Sequence, residues 1–182
     1  MKIVVVGRGS VGGGLAGLWK AAGHEVDAFG RDGGDATGAD VIVVALPSDA
    51  IAEGLGKVTG LSGQISIDAS NARYGRNEDH ASLAHEVKAI VGGPAAKAFN
   101  INFAALYDQA SEQRATPSNF YAADAEADEV VAQLIRDAGY DPVLVGDLEM
   151  ARALEEYAPL AGGIAEAGTG MYFYRVAAPG EL

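Results

Sequence analysis

The chain of 182 residues contains no cysteine. Disulfides, thiol nucleophiles and cysteine-ligated zinc or iron-sulfur sites are therefore excluded. Positive charge is scarce as well: 13 Lys and Arg against 25 Asp and Glu leave a formal net charge of -12. Phosphate backbones are held by clustered cations and anionic membranes repel acidic surfaces, so neither nucleic acid nor membrane is an expected partner. No apolar run approaches the ~20 residues that span a bilayer. The N-terminus enters a strand at once, with no charged leader; a cytoplasmic location is the resulting expectation. His80 and His85 stand at a poor ligand spacing and find no convincing third partner, so no metal site is expected.

Glycine is in excess, at 25 residues, about twice the usual ~7%. Hydrophobic residues make up 49%, and a chain of this length can bury a substantial core. Residues 2–6 (KIVVV) form an apolar run stopped by glycine. An amphipathic stretch from about Val11 to Ala22 and a short run from Glu25 to Phe29 follow. This is the opening β-α-β of a doubly wound sheet. The continuous run Val41 to Leu46 reads as a central parallel strand buried on both faces, followed by a helix to about Val58 with Ser48 as its cap.

Further strands are predicted at 64–68, 95–99, 119–122 and 141–145. Helices are predicted at 79–87, 102–110, 126–138, 148–157 and 161–167. No repeat or linker interrupts the pattern. The expected architecture is one α/β, Rossmann-like, mostly parallel domain over 1–182, its sheet extended by the C-terminal half. Only residues 30–40 connect the second strand to the third, four of them glycine. A helical crossover needs about a dozen residues or more, so this link is expected to be a loop or single turn that covers one sheet face thinly, the cover being completed by a partner subunit, by smaller side chains or by a shifted neighbouring helix.

The loop Gly7-Arg8-Gly9-Ser10-Val11-Gly12 is a GxGxxG match that directly follows a strand and opens a helix. In that context Gly7 permits the tight turn, Gly9 lets a pyrophosphate approach the backbone and Gly12 lets helix and strand pack closely. The helix N-terminus offers free N–H groups to the anion. Arg8 either touches phosphate or points to solvent; Ser10 either donates its hydroxyl or merely starts the helix. A site for NAD places an acid about 20 residues on, to accept from the ribose 2'-hydroxyl. Here that stretch is Phe29-Gly30-Arg31-Asp32. Arg31 suits a 2'-phosphate, which favours NADP; Asp32 is the counter-signal, pairing with Arg31 or selecting NAD.

Taken together, the start KIVVVGRGSVGGGLAGLWKAAGHEV, the strand DVIVVALPSDAI, IDASNA at 67–72, KAFN at 97–100 and AGYDPVLVGDLEMARALE at 138–155 resemble the family of F420-dependent NADP oxidoreductases. The resemblance extends over almost the whole chain. It implies hydride transfer between NADP(H) and a deazaflavin (F420) or a flavin, a small-molecule acceptor or donor as partner, and a homodimer. It also implies cofactor contacts from the glycine loop, Gly30, Arg31, the strand end and turn Ala45-Leu46-Pro47, and Ser70 and Asn71. In the family, Gly30 is commonly Ser, Thr or Asn, and Ala72 stands where proline is usual; the short 30–40 link departs furthest.

Hydride transfer between stacked rings needs no protein nucleophile, and no catalytic residue is assigned. Lys97 and Asn100 are read either as structural or as acceptor-side contacts, and Arg152 with Glu155 as a helix-face pair. The roof of the acceptor pocket is sought in Gly162–Met171 or in Tyr172 and Phe173, which are otherwise ordinary C-terminal core. Two rival functions stand beside deazaflavin or flavin reduction: an NADPH-dependent reductase of another small substrate, and a non-catalytic NADP(H) sensor.

Overall fold

The computed structural model describes residues 1–180. Strand β1 (Lys2–Val6) alternates its valines and isoleucine across the sheet. Ile3 and Val5 join one apolar cluster, and Val4 and Val6 join another on the opposite face. This two-sided burial is why the run carries no polar residue after Lys2. Helix α1 (Ser10–Ala21) returns the chain to β2 (Glu25–Phe29), which lies parallel to β1.

The link to the next strand is a tight turn in which Gly30 and Gly33 face each other as an isolated bridge. Gly33 has φ +74 and passes against the Lys57 carbonyl, where no side chain fits. A two-residue strand, β3 (Gly34–Asp35), follows. No helix forms, as the segment's length and glycine content demand. The exposed face is nevertheless closed: Ala36 and Ala39 pack into the second cluster beside Val58. Small side chains do the work of the missing crossover helix.

Strand β4 (Val41–Val44) pairs with β1 on its other edge. After a 3-10 turn (Ser48–Ala50), helix α2 (Ile51–Leu55) is shorter than the sequence suggests. Gly54 and Gly56 weaken its end, and Val58 leaves it to form β5 (Val58–Thr59), parallel to β3. Ser48 does not cap the helix; its hydroxyl accepts instead from the backbone N–H of Tyr74 at 3.2 Å.

Strand β6 (Ile65–Asp68) leads to α3 (Leu83–Val91), whose start is set by Ser82, which accepts from the His85 N–H. That cap places the helix four residues later than the sequence reading. Strand β7 (Ala95–Lys97) ends two residues early, because Phe99 turns at φ +63, a rare conformation for a bulky residue. Residues Ala104–Glu112 are 3-10 rather than α-helical.

Strand β8 (Ser118–Ala123) runs antiparallel to β7, and α4 (Ala125–Asp137) carries the chain to β9 (Asp141–Gly146), parallel to β8. The two helices expected at 148–157 and 161–167 form a 3-10 turn and one continuous helix, α5 (Ala151–Ile164), which includes Pro159. A π turn (Ala165–Thr169) closes it.

One seven-stranded sheet thus runs in the order β2-β1-β4-β6-β7-β8-β9. Trp19 of α1 is fully buried, donates to the Leu134 carbonyl at 2.8 Å and meets Phe99 edge-on. It binds the N-terminal β-α-β to the second half. The strand order reverses between β1 and β4, and at such a switch point the carboxyl ends of open α/β sheets leave a crevice.

Candidate functional site

The crevice is built from the ends of β1 and β4. Gly7 extends β1 by donating to Phe29 O at 3.0 Å, and Ala45 extends β4 by donating to Val6 O at 2.9 Å. At φ +113, Gly7 brings its backbone against Ala45; a Cβ there would lie 2.9 Å from the Ala45 carbonyl carbon. A Cβ on Gly12 would overlap the Gly7 carbonyl. Both positions therefore admit only glycine, which is the packing role assigned to them by the motif.

Gly9 is different. A Cβ there would meet nothing within 4 Å: its missing side chain leaves open space over the helix start. Helix α1 has no side-chain cap and no acid in its first turn. Ser10 supplies no capping bond and simply begins the helix. The free N–H groups and the positive end of the helix dipole converge on this space, as an anion requires.

A cavity of about 810 Å³ occupies the crevice, lined by Gly7, Arg8, Gly9, Gly30, Arg31, Ala45, Leu46 and Pro47 among others. A second, of about 300 Å³, shares the wall formed by Gly9 and Ala45 to Pro47 and continues past Ser10, Val11, Ser70 and Asn71. Gly12 lies beneath the loop, in contact with Gly7 and Ala45. All other residues expected from the sequence to contact a cofactor line one cavity or the other.

At one end stand two arginines. The guanidinium of Arg8 lies over Gly30, and Arg31 sits on the adjoining turn. Neither has an ion-pair partner among the described residues, and Arg31 does not pair with Asp32. Arg8 thus points along the cleft wall rather than away from it. Lys57 also lines this end but is taken by Glu53 at 2.6 Å, and that hydrogen bond holds the Glu53 carboxyl below its usual range.

At the other end the loop after β6 is fixed from beneath. Asp68 accepts from Ser70 N at 2.8 Å, and Lys97 Nζ donates to Asp68 at 2.5 Å and to Ser70 O at 2.6 Å. Glu155 lies 3.3 Å from Lys97, accepts from Leu83 N at 2.9 Å and pairs with Arg76 at 3.2 Å. The Lys97, Asp68 and Glu155 side chains are wholly excluded from solvent. Two acids and two bases leave the cluster near neutrality, which is how such burial is tolerated.

Lys97 is accordingly a structural charge. Asn71 and Asn100 interlock: Asn71 donates to the Asn100 carbonyl at 2.7 Å, and Asn100 donates to Asn71 Oδ1 at 2.9 Å and to Leu154 O at 2.9 Å. The pairing expected between Arg152 and Glu155 is overturned. Arg152 bonds Glu156 one turn on at 2.9 Å, leaving Glu155 to the buried cluster. The expected roof does not form either. Tyr172 stacks edge-on against Phe103 and Phe173 packs on the core, so neither lines the cleft. Arg73 and Tyr74, which sequence reasoning missed, line the second cavity instead.

No protein-family model matches the chain, and no curated protein matches its sequence. Solved structures do. A provisionally named F420-dependent NADP-reductase from Arthrobacter sp. FB24 superposes with a TM-score of 0.80 at 25% identity, over 98% of this chain and 100% of that one. A hypothetical protein from Sinorhizobium meliloti matches with a TM-score of 0.61 at 28% identity, over 81% and 84%. The fold is Rossmann-like. A reductive aminase from Aspergillus terreus, solved with NADPH, shares it with a TM-score of 0.66 at 16% identity, and this chain spans 62% of that protein's length.

Proposed function

We propose that residues 1–182 act as one NADP(H)-binding domain of an oxidoreductase that moves hydride between the nicotinamide and a deazaflavin or flavin-like acceptor. One observation carries the reading: the cleft that would hold the dinucleotide continues, past Ala45 to Pro47, into an open space of about 300 Å³. A protein that only sensed the cofactor could have the space facing the nicotinamide filled by side chains.

The pyrophosphate would lie on the N–H groups at Gly9 to Val11. Arg31 and Arg8 would take the 2'-phosphate, supplying the cations that an acidic chain otherwise lacks. The nicotinamide would rest on Ala45, Leu46 and Pro47, beside Ser70 and Asn71. Bound NADPH would supply a hydride from its reduced ring, and any further proton the acceptor needs would come from solvent. The chain orients the rings and excludes water rather than attacking either. The likeness to the Arthrobacter protein supports a deazaflavin as acceptor.

The test is oxidation of saturating NADPH, followed at 340 nm, with F420, FMN and FAD in turn. Turnover above the protein-free rate with any of the three is expected. Tight NADPH binding with no turnover on all three would remove the deazaflavin or flavin assignment and leave a reductase of another substrate.

A further inference from the structure

We propose that Lys57 is a third cation for the cofactor's 2'-phosphate, placed at the crevice by the shortened link after β2, and that Glu53 holds it until the phosphate arrives. The proposal rests on the reading of the cleft as an NADP(H) site and adds a residue that sets its preference for the phosphorylated cofactor.

The link places Lys57. With no crossover helix after β2, the chain turns back directly onto the end of α2. Gly34 and Asp35 of β3 pair with Val58 and Thr59 of β5, and Gly33 runs so close to Lys57 that a Cβ on it would overlap the Lys57 carbonyl. Gly33 lies two residues after Arg31. The small sheet therefore fixes the Lys57 backbone beside the turn that bears Arg31, and both residues line the same cavity.

The balance of charge singles Lys57 out. Arg8, Arg31 and Lys57 line this cavity together with Asp32 and Glu53. Two arginines against two carboxylates offer a phosphate no net positive charge, and a chain of net charge -12 supplies none from a distance. Lys57 tips the local sum to positive. The pyrophosphate belongs to the helix start at Gly9; Lys57 stands instead with the turn at the end of β2, where the ribose hydroxyls of a bound dinucleotide lie.

Glu53 makes the contribution conditional. Its carboxylate holds the Lys57 ammonium at 2.6 Å from four residues earlier, with the two side chains 74% and 44% exposed. An exposed pair of this kind is held weakly. A 2'-phosphate carries more negative charge than the carboxylate and offers several acceptor oxygens, so it draws the ammonium away. The 2'-hydroxyl of NAD(H) is neutral and leaves the pair intact. Lys57 thus acts on the phosphorylated cofactor alone, and Glu53 limits how strongly it does so.

The experiment is calorimetric titration of the protein with NADP+ and with NAD+ in separate runs. Failure of the wild type to bind either would sink the cofactor reading, and this proposal with it, before any variant is made. A wild type that binds NAD+ alone would leave the dinucleotide cleft standing and overturn the proposal. Lys57→Met keeps much of the side-chain stem and removes the charge; it should weaken NADP+ by about five- to tenfold and NAD+ by less than about twofold. Lys57→Arg should keep a large part of the NADP+ affinity. Glu53→Gln should tighten NADP+ by about three- to fivefold, and most of that gain should vanish when Lys57→Met is added. Because the pair is exposed, the melting temperatures of all these variants should stay close to that of the wild type.

Unchanged NADP+ affinity in Lys57→Met would make the pair with Glu53 an ordinary surface contact and overturn the proposal. An equal loss for the two nucleotides also overturns it, because it would give Lys57 to the adenine or the pyrophosphate. A gain in Glu53→Gln that persists at full size without Lys57 would overturn the role assigned to Glu53.

Discussion

The Arg8 guanidinium fills the space that a side chain on Gly30 would need: a Cβ there would lie 2.8 Å from its Cζ and Nε. This chain has an empty position on the turn and an arginine reaching across to it from the glycine loop. Gly30→Ala should push the flexible arginine aside without disturbing the backbone. NADPH affinity should fall by about tenfold, the worth of one charge-assisted hydrogen bond, with NADH affinity and melting temperature nearly constant. Fluorescence titration beside a thermal melt reads both. Unchanged NADPH affinity would show that Arg8 does not contribute.

Arg31 stands on the same turn without an ion-pair partner among the described residues, so its removal exposes no buried charge. Arg31→Ala should weaken NADPH by about 10- to 100-fold and NADH by much less, because only NADPH presents a 2'-phosphate. Equal losses for the two cofactors would assign Arg31 some other role.

The features legible in the sequence are those that follow from local pattern. The apolar runs around β1 and β4, the glycine loop and the absence of a helix between residues 30 and 40 all depend on neighbours along the chain. The features that were not legible depend on distant partners. Glu155 could not be separated from Arg152 without knowing that Lys97 and Arg76 would reach it from other elements. Ser48 looks like a cap, yet its hydroxyl is taken by Tyr74 from the loop after β6. Arg73 and Tyr74 carry no motif; only the cavity they line singles them out.

Gly12 tests the fold beneath the site. A methyl group there would overlap the Gly7 carbonyl and come within 3.1 Å of the Ala45 side chain. Both neighbours are on or next to strand ends, so relief requires α1 to lift from the sheet. Gly12→Ala should cost about 3 kcal/mol, at the upper end for overpacking, and should abolish NADPH binding by tilting the helix start. Urea denaturation measures the first effect and calorimetry the second.

Glu86 of α3 is buried, and its desolvation raises its carboxyl pKa above the ordinary value of 4.5. The unfolded chain releases this proton first as pH rises. Stability associated with the group is therefore complete below about the unfolded value and is lost as pH climbs through the raised one. Glu86→Gln should melt above the wild type at pH 7.5, with the gap closing toward pH 4. A gap that widened on acidification would contradict the burial argument.

Lys97 offers the most demanding test, because it serves the fold and the site through the same ammonium group. Lys97→Met keeps much of the side-chain volume but leaves Asp68 and Glu155 without the cation between them. Breaking a buried pair by removing one partner costs about 3–5 kcal/mol, a large share of the ~5–15 kcal/mol that holds a typical domain together. The Ser70 carbonyl also loses its donor at 2.6 Å, which frees the loop that would border the nicotinamide. At temperatures where the variant remains folded, NADPH affinity should stay within a few-fold, since Lys97 lines neither cavity. Single-turnover hydride transfer should fall much further. Equal losses in binding and transfer, measured on the folded variant by stopped flow, would mean that Lys97 supports the whole cleft rather than its nicotinamide end.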